Sequence, residues 1–152
     1  MKALVQRVLR GQVTVDGEVA GAIGAGYVIF LGVRKDDSIE CARYLAERTA
    51  ALRIFPDEQH RMNRSIQDIG GAALVISQFT LQADTRKGNR PGFTDAAPPD
   101  VADSLYQAYV GHLRELLGPE RVATGVFRAK MLVEIYNDGP VTIELRSRNE
   151  YD

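Results

Sequence analysis

The fold predicted for this protein depends most on two short stretches of its sequence, Ser77-Gln78-Phe79-Thr80-Leu81 and Asn137-Asp138-Gly139-Pro140-Val141-Thr142. The first ends an apolar run, so its hydroxyl and amide groups are expected at the margin of a sheet. The second lies between two apolar runs, where Asp138-Gly139 alone would predict a tight hairpin. Pro140 is inconsistent with that hairpin, because proline cannot donate to a sheet ladder and fixes φ at about −65° where the next strand should begin. The second stretch therefore predicts an unusual backbone shape.

Strand patterns extend outward from both stretches. Apolar and polar residues alternate over residues 3–15, and this period of two is typical of half-buried strands. Asp16-Gly17 follows as a hairpin turn signal, and Gly11 is expected at a bulge or bend. Apolar runs predict further strands over residues 27–33, 72–79, 129–136 and 141–145.

Two segments carry helical periodicity. A first helix is predicted over residues 39–53, where apolar side chains recur at spacings of three and four. A second begins at Pro98-Pro99 and ends at Gly118, which is a common residue at the end of a helix. Because several strands are combined with these helices and show little regular β-α-β alternation, we predict an α+β fold with a strongly curved, mainly antiparallel sheet or an open barrel.

Length and charge limit the functions available to the chain. With 152 residues, 45% of them hydrophobic, it can form one compact domain. We expect this domain to span residues 1–146 and the polar residues 147–152 to form a fraying tail. Lys and Arg number 19 against 20 Asp and Glu, which gives a net charge of −1. Because proteins that neutralise phosphates broadly carry a basic excess, any contact with nucleic acid is expected to be local.

The cysteine and histidine content points to a reducing compartment and away from a metal site. Cys41, the single cysteine, cannot form an internal disulfide.

No apolar run approaches the roughly 20 residues that cross a bilayer, so we expect a cytoplasmic protein without a membrane partner. His60 and His112 stand far apart without ligand-spaced neighbours, so neither a zinc site nor a histidine-dependent triad is expected.

Residues 86–93, called the basic loop below, combine cations, glycines and an aromatic ring. Arg86, Lys87 and Arg90 are suited to binding phosphate, and Phe93 is suited to stacking on a base. A solvated surface loop can have the same composition. The pattern alone leaves both interpretations open.

The two opening stretches resemble the signature motifs of the D-aminoacyl-tRNA deacylase family, and the resemblance extends from Met1 to about Arg146. It implies a homodimer whose substrate is the ester between a D-amino acid and the 3′-terminal adenosine of tRNA. It also implies that the Gly139-Pro140 peptide bond is cis and is inserted into the active site of the partner subunit. There it would exclude an L side chain sterically, whereas glycyl-tRNA would remain a second substrate. No cofactor, metal ion or DNA partner is expected.

The resemblance also assigns roles to individual residues. The catalytic pocket would be lined by Ser77, Gln78, Phe79 and Thr80, with Gln78 and strand-end amides holding the scissile carbonyl. An unassisted threonine hydroxyl is a weak nucleophile, so we expect water to attack with help from the ribose 2′-hydroxyl and Thr80 to be a pocket hydroxyl. The supporting residues implied are Arg7, Met131 and Asn137. The basic loop would contact the acceptor end of tRNA through Arg86, Lys87, Arg90 and Phe93.

Two other functions remain open at this point. A dimeric nucleic-acid-binding module could keep this fold without catalysis, although the near-neutral charge and the presence of both motifs disfavour it. An editing enzyme of the same fold could instead prefer an L-amino acid or glycine. Deacylation of D-, L- and glycyl-tRNA would separate these possibilities.

Overall fold

The computed structural model describes residues 1–151, without the side chain of Tyr151. The strands within that range are β1 (Lys2–Val15), β2 (Glu18–Ile23), β3 (Gly26–Gly32), β4 (Arg53–Pro56), β5 (Met62–Ser65), β6 (Ala72–Ser77), β7 (Val122–Thr124) and β8 (Leu132–Arg146). The helices are α1 (Ile39–Ala51), α2 (Pro99–Leu117) and three short 3-10 helices, Phe79–Gln82, Pro119–Arg121 and Arg148–Tyr151. None of the described helices is long and apolar enough to cross a membrane.

The sheet is built on β1. β3 pairs with the first half of β1 and β2 with the second half, while β8 runs antiparallel along the opposite edge. The turn between β1 and β2 is Asp16-Gly17, with φ angles of 50° and 79°. Positive φ at both central residues is what a primed two-residue hairpin requires. The hairpin prediction is therefore confirmed.

The remaining pairs of this sheet are parallel. β3 pairs with β6, and β6 with β7, in parallel register. α1 and the β4–β5 hairpin connect β3 to β6, and α2 lies between β6 and β7, so both connections are helical crossovers. The prediction of a mainly antiparallel sheet missed these pairs, because the β4–β5 hairpin interrupts the β-α-β pattern in the sequence. The sheet is mixed.

The sheet also curves until its ends approach each other. Its strand order is β2-β1-β3-β6-β7, with β8 paired to β1. A Cβ atom on Gly21 of β2 would lie 2.6 Å from the carbonyl oxygen of Thr124 in β7, so only a glycine permits this approach. Two helices with a nearly closed mixed sheet agree with the predicted curved or open-barrel fold.

Two tyrosine hydroxyls of α2 make hydrogen bonds, one to α1 and one to the sheet. Thr49 of α1 and Tyr109 of α2 share a hydrogen bond of 2.8 Å between fully buried side chains. Tyr106 donates to the carbonyl of Val75 in β6, also at 2.8 Å. Burial raises the pKa of Tyr106 to about 12, so this hydroxyl stays a donor at neutral pH. The bond fixes α2 against β6, close to the point where that strand ends.

The strands predicted over residues 129–136 and 141–145 form one element, β8, which runs through residues 137–142. Its register against β1 shifts between Gln6 and Val8 and again between Val8 and Gly11. The unusual backbone shape predicted for residues 137–142 corresponds to these shifts of register between β8 and β1. The bend expected near Gly11 coincides with the second shift.

The residues after Arg146 pack against the N-terminus. The α-amino group of Met1 donates to Asp37 Oδ1 at 2.7 Å and to Glu150 Oε1 at 2.8 Å. Ser147 is buried and donates to the carbonyl of Met1. The expected fraying is wrong for residues 147–150, because the side chains of Ser147 and Glu150 are partners of a buried ammonium group. Asp152, the end of the predicted tail, lies outside the described residues.

Candidate active site

The polar residues after β6 leave the sheet and begin a 3-10 helix. β6 ends at Ser77, and the N–H of Gln78 makes one more bond to the carbonyl of Leu31, at 2.8 Å. Phe79 and Thr80 then open the 3-10 helix, so their N–H groups have no acceptor within that helix. The side-chain amide of Gln78 donates to Thr80 Oγ1 at 3.0 Å. Residues 77–80 therefore present several donors at the end of a core strand.

These residues line a cavity of about 550 Å³. Small-molecule sites commonly enclose about 300–1,000 Å³, so the cavity is large enough for a small-molecule ligand. Met131, predicted from the resemblance, lines the same cavity. Most of the remaining lining is apolar and comes from the end of β3 and the residue after it, from α2 and the segment before it, and from the loop before β8, including Phe30, Val33, Ala97, Ala102 and Phe127. Phe79 is 56% exposed, which is unusual for a phenylalanine that a fold could bury.

Residues 127–129 also line this cavity, although no sequence pattern predicts it. Phe127, Arg128 and Ala129 lie between β7 and β8, in a segment without a recognisable motif. A turn there is closed by a bond from Ala129 N–H to the carbonyl of Val126. Their position depends on how the sheet curves, which local sequence does not report.

The loop at residues 137–142 is held by one asparagine side chain. Asn137 Oδ1 accepts from the N–H of Val141 at 2.9 Å, and its amide donates to Thr142 Oγ1 at 2.9 Å. Between these anchors, Gly139 and Pro140 are exposed and joined by a cis peptide bond, and Gly139 has a φ of 132°. Asn137 thus supplies side-chain hydrogen bonds where the ladder is interrupted at Pro140, which has no N–H.

Arg7 fastens this loop to the rest of the fold. Its Nε donates to the carbonyl of Asp138 at 3.0 Å, and its Nη1 donates to the carbonyl of Ile54 at 2.7 Å. The side chain is only 12% exposed. The structure brings Arg7, Asn137, Gly139 and Pro140 together, but none of them lines the cavity of the same chain.

The basic loop forms a smaller cavity of its own. Arg86, Lys87 and Arg90 line it together with Asp84, whose backbone pairs with Gly92. Arg86 makes two hydrogen bonds to the Asp84 carboxylate, at 2.9 and 2.7 Å. This guanidinium holds the pKa of Asp84 at about 2, so the ionised Asp84 carboxylate neutralises most of the positive charge of Arg86. Lys87 and Arg90 make no ion pair within residues 1–151.

Two phenylalanine rings connect the cavity to the basic loop. Phe79, on the cavity, and Phe93, at the end of the basic loop, meet edge to face with centroids 5.0 Å apart and ring planes at 69°. A molecule in the cavity that reached Phe79 would therefore be next to the basic loop. The two predicted sites are neighbours on one surface.

Ionisable catalytic groups are sparse around the cavity. His112 is held by Glu115 and Glu47 on the helices and is not part of the lining. The polar lining consists of Ser77, Gln78, Thr80 and Arg128 with nearby backbone amides. Within the described chain, no group of three or more His, Cys, Asp or Glu residues is arranged to hold a metal ion. The arrangement favours chemistry by positioning and hydrogen bonding.

Comparisons with known proteins identify one family. A family model described as D-Tyr-tRNA(Tyr) deacylase matches residues 4–146. The D-aminoacyl-tRNA deacylase of Anaeromyxobacter dehalogenans (strain 2CP-C) is 59% identical over 148 residues, 97% of this chain and 98% of the relative. That of Heliobacterium modesticaldum (strain ATCC 51547 / Ice1) is 57% identical, with 97% of both chains covered.

Two solved structures have the same fold. The c-Myc DNA Unwinding Element Binding Protein superposes with a TM-score of 0.93 at 42% identity, covering 97% of this chain and 99% of that one. A probable eukaryotic D-amino acid tRNA deacylase superposes with a TM-score of 0.82 at 17% identity, covering 95% and 97%. The second likeness is evidence for the fold alone.

Proposed function

The chain belongs to the D-Tyr-tRNA(Tyr) deacylase family and is an ester hydrolase of the D-aminoacyl-tRNA deacylase type, and we propose that it cleaves its substrate in the cavity lined by residues 77–80. The substrate is the ester between a D-amino acid and the 3′-terminal adenosine of tRNA. The products are a free D-amino acid and tRNA. The reaction removes wrongly charged amino acids in the cytoplasm and so acts as editing.

The amides at the start of the 3-10 helix carry the chemistry. The N–H groups of Phe79 and Thr80 and the side-chain amide of Gln78 are donors beside the cavity. Water attacks the ester carbonyl, the negative charge on the carbonyl oxygen is stabilised by these donors, and the ribose 2′-hydroxyl assists the proton transfer. An aminoacyl ester is already activated, so a strong protein base is unnecessary. Thr80 shapes the pocket and orients Gln78 through their 3.0 Å bond.

Selection against L-amino acids requires a second copy of the chain. The observation that supports this is that Gly139 and Pro140 are exposed and braced by Arg7, yet do not line the cavity of their own chain. In a homodimer the loop of one subunit enters the cavity of the other. Its backbone leaves room for a D side chain but collides with an L side chain. Glycine has no side chain to collide, so glycyl-tRNA is cleaved as well.

A nucleic-acid-binding role without catalysis is the second candidate, since one solved relative is called a DNA unwinding element binding protein. The basic loop would serve either role, because cations bind the phosphates of RNA and DNA alike. We propose tRNA as the partner, because the cavity beside the loop suits an aminoacyl adenosine. An excess of a DNA oligonucleotide should then compete poorly for deacylation, whereas uncharged tRNA should compete well.

Deacylation of D-Tyr-tRNA, L-Tyr-tRNA and Gly-tRNA tests the proposed activity directly. We expect cleavage of the D and glycyl substrates and protection of the L substrate. Cleavage of none would overturn the catalytic role, and equal cleavage of D and L would overturn the wedge. Sedimentation of the wild-type chain should show a dimer.

Mixed dimers test whether the wedge acts across subunits. Gln78→Ala should lower the activity of its own cavity about a hundredfold, and Pro140→Ala should let L-Tyr-tRNA enter the cavity that its loop serves. In a mixed dimer, the only intact cavity belongs to the Pro140→Ala subunit and receives the normal loop of the Gln78→Ala subunit. We therefore expect the mixed dimer to cleave D-Tyr-tRNA and to reject L-Tyr-tRNA. If the loop acts within its own subunit, the mixed dimer will instead cleave both.

A further inference from the structure

Arg128 occupies a backbone position that normally calls for glycine. It is the third residue of the turn closed by the 3.2 Å bond from Ala129 N–H to Val126 O, and its φ is 67°. Because Phe127 does not share the positive φ, the turn is of type II, where glycine or asparagine is usual at this position. A long side chain there is disfavoured, because its Cβ crowds the following carbonyl oxygen. Such strained residues tend to occur at functional sites.

The two other non-glycine residues with positive φ have ordinary explanations. Asp16 lies in the β1–β2 turn, and His60 lies in a turn bonded to Asp57. Aspartate and histidine are among the residue types that adopt this conformation more readily than most. Among the described residues, Arg128 is therefore the one whose strained backbone is not accounted for by its turn and residue type.

The guanidinium of Arg128 is free to bind an external group. The residue is exposed and lines the same cavity as residues 77–80. Arg7, Arg64 and Arg86 are each paired with a carboxylate of this chain. Arg128 has neither an ion pair nor a side-chain hydrogen bond within residues 1–151. A cation that has no carboxylate partner attracts an anionic part of a molecule that binds in the cavity.

We propose that Arg128 binds a phosphate of the single-stranded 3′ end of tRNA while the aminoacyl ester lies in the cavity. This inference rests on the proposed function and adds a contact separate from the basic loop, which lines a different cavity. The planar guanidinium fork matches two phosphate oxygens. With a net charge of −1, the chain has no general attraction for RNA, so local cations of this kind must hold the substrate.

The test compares a substrate that has phosphates with one that has none. Arg128→Ala should lower kcat/KM for D-Tyr-tRNA about tenfold, as the loss of a charge-assisted hydrogen bond predicts. The same variant should cleave the D-tyrosyl ester of adenosine, which has no phosphate, at the wild-type rate. Arg128→Lys should recover part of the lost activity on tRNA. Lys130→Ala, which removes an exposed cation outside the cavity lining, is the matched control and should behave like the wild type.

Salt dependence and stability give two further readouts. For a single strand, removing one phosphate contact should reduce the slope of log(kcat/KM) against log[salt] by about 0.7. Arg128→Gly should lose the same activity on tRNA without a lower melting temperature, because glycine suits the positive φ.

Equal loss on both substrates, or no loss on either, would overturn the phosphate contact. If the wild-type chain cleaves neither substrate, the proposed function itself is overturned and this inference falls with it.

Discussion

Arg7 joins the loop at residues 137–142 to the β4 region through two carbonyl oxygens, those of Asp138 and Ile54. The bond to Asp138 is made to the main chain at 3.0 Å, and the carboxylate of the same residue lies farther away, at 3.6 Å. The position of Gly139-Pro140 therefore depends on the shape of the guanidinium group more than on charge.

We predict that Arg7→Lys disturbs this loop although the charge is kept. A lysine ammonium cannot reproduce the fixed fork that reaches both carbonyls, so at least one buried acceptor loses its partner. The expected cost is about 1–3 kcal/mol of unfolding free energy, measured by urea denaturation. Discrimination between D-Tyr-tRNA and L-Tyr-tRNA should weaken in the same variant.

Asp138→Ala is the matched control for Arg7→Lys. It removes the 3.6 Å ion pair but keeps the main-chain acceptor, so stability should change by less than about 1 kcal/mol. A larger loss from Asp138→Ala than from Arg7→Lys would mean that charge, not the guanidinium fork, holds the loop.

Thr80→Ala is expected to retain activity. Thr80 Oγ1 accepts a bond from Gln78, and no histidine, lysine or carboxylate is bonded to it within the described chain. Loss of this positioning contact should reduce kcat by no more than about tenfold, whereas Gln78→Ala, which removes a candidate oxyanion donor, should cost about a hundredfold. Thr80→Ser keeps the hydroxyl and should match the wild type. Complete inactivity of a folded, tRNA-binding Thr80→Ala variant would instead identify Thr80 as a nucleophile.

Gly139→Ala is expected to displace the loop even though alanine is small. A Cβ at this position would lie 2.8 Å from Val141 Cγ2 and 3.0 Å from Arg7 Nη2, and the φ of 132° is unfavourable for any L side chain. We expect weaker rejection of L-Tyr-tRNA with little change in the cavity of the same chain. Gly17→Ala, in the β1–β2 turn, is a control, since that glycine also has positive φ but open space around its missing side chain. Unchanged discrimination in Gly139→Ala would contradict the wedge.

Local patterns predicted the elements of this fold better than their pairing. Alternation over residues 3–15 and the stripes of the two helices correspond to β1, α1 and α2, because side-chain periodicity reflects which face is buried. The parallel pairing of β3 with β6 depends on contacts across a crossover. The sequence does not show that the polar end of the chain is ordered, because Ser147 finds its partner, Met1, 146 residues away.

The candidate site residues that the sequence indicates are those whose polarity differs from that of their neighbours. Residues 77–80 interrupt an apolar run, and Pro140 interrupts a strand, so both signals are visible locally. Arg128 gives no such signal, since an arginine in a loop is ordinary until its φ and its place on the cavity are known. The pairing of Arg86 with Asp84 also needed the structure, although the two residues are close in sequence.

The buried pair Thr49 and Tyr109 should respond unequally to removal of its two hydroxyls. Thr49 donates to the carbonyl of Leu45 at 2.8 Å, so Tyr109 is the donor in the bond between the two side chains. Burial raises the pKa of Tyr109, which keeps its hydroxyl protonated. Tyr109→Phe leaves Thr49 bonded to Leu45, so it should lower the free energy of unfolding by about 1 kcal/mol. Thr49→Val leaves the buried tyrosine hydroxyl without its acceptor, so it should lower that free energy by about 2–3 kcal/mol.

The double variant Thr49→Val/Tyr109→Phe is the decisive measurement for this pair. It removes both polar groups, so it should be more stable than Thr49→Val alone in urea denaturation. Strict additivity of the two single effects would show that the hydroxyls do not interact.

Glu150 should make the stability of the protein depend on pH in the acidic range. Burial alone would raise the pKa of this carboxyl, whose side chain is 5% exposed, but the hydrogen bond and charge of the Met1 ammonium and the amide of Gln82 lower it overall. A lowered pKa in the folded state means that the carboxylate stabilises the fold fully above its unfolded pKa of about 4.3. This contribution is lost as pH falls through the folded value.

Glu150→Gln should therefore lower the free energy of unfolding by about 2 kcal/mol at pH 7, and this deficit relative to the wild type should shrink below about pH 4. Glu18→Gln, at an exposed carboxylate next to the β1–β2 turn, should show neither effect. A Glu150→Gln deficit that stayed constant from neutral to acidic pH would assign Glu150 a packing role in place of the ion pair.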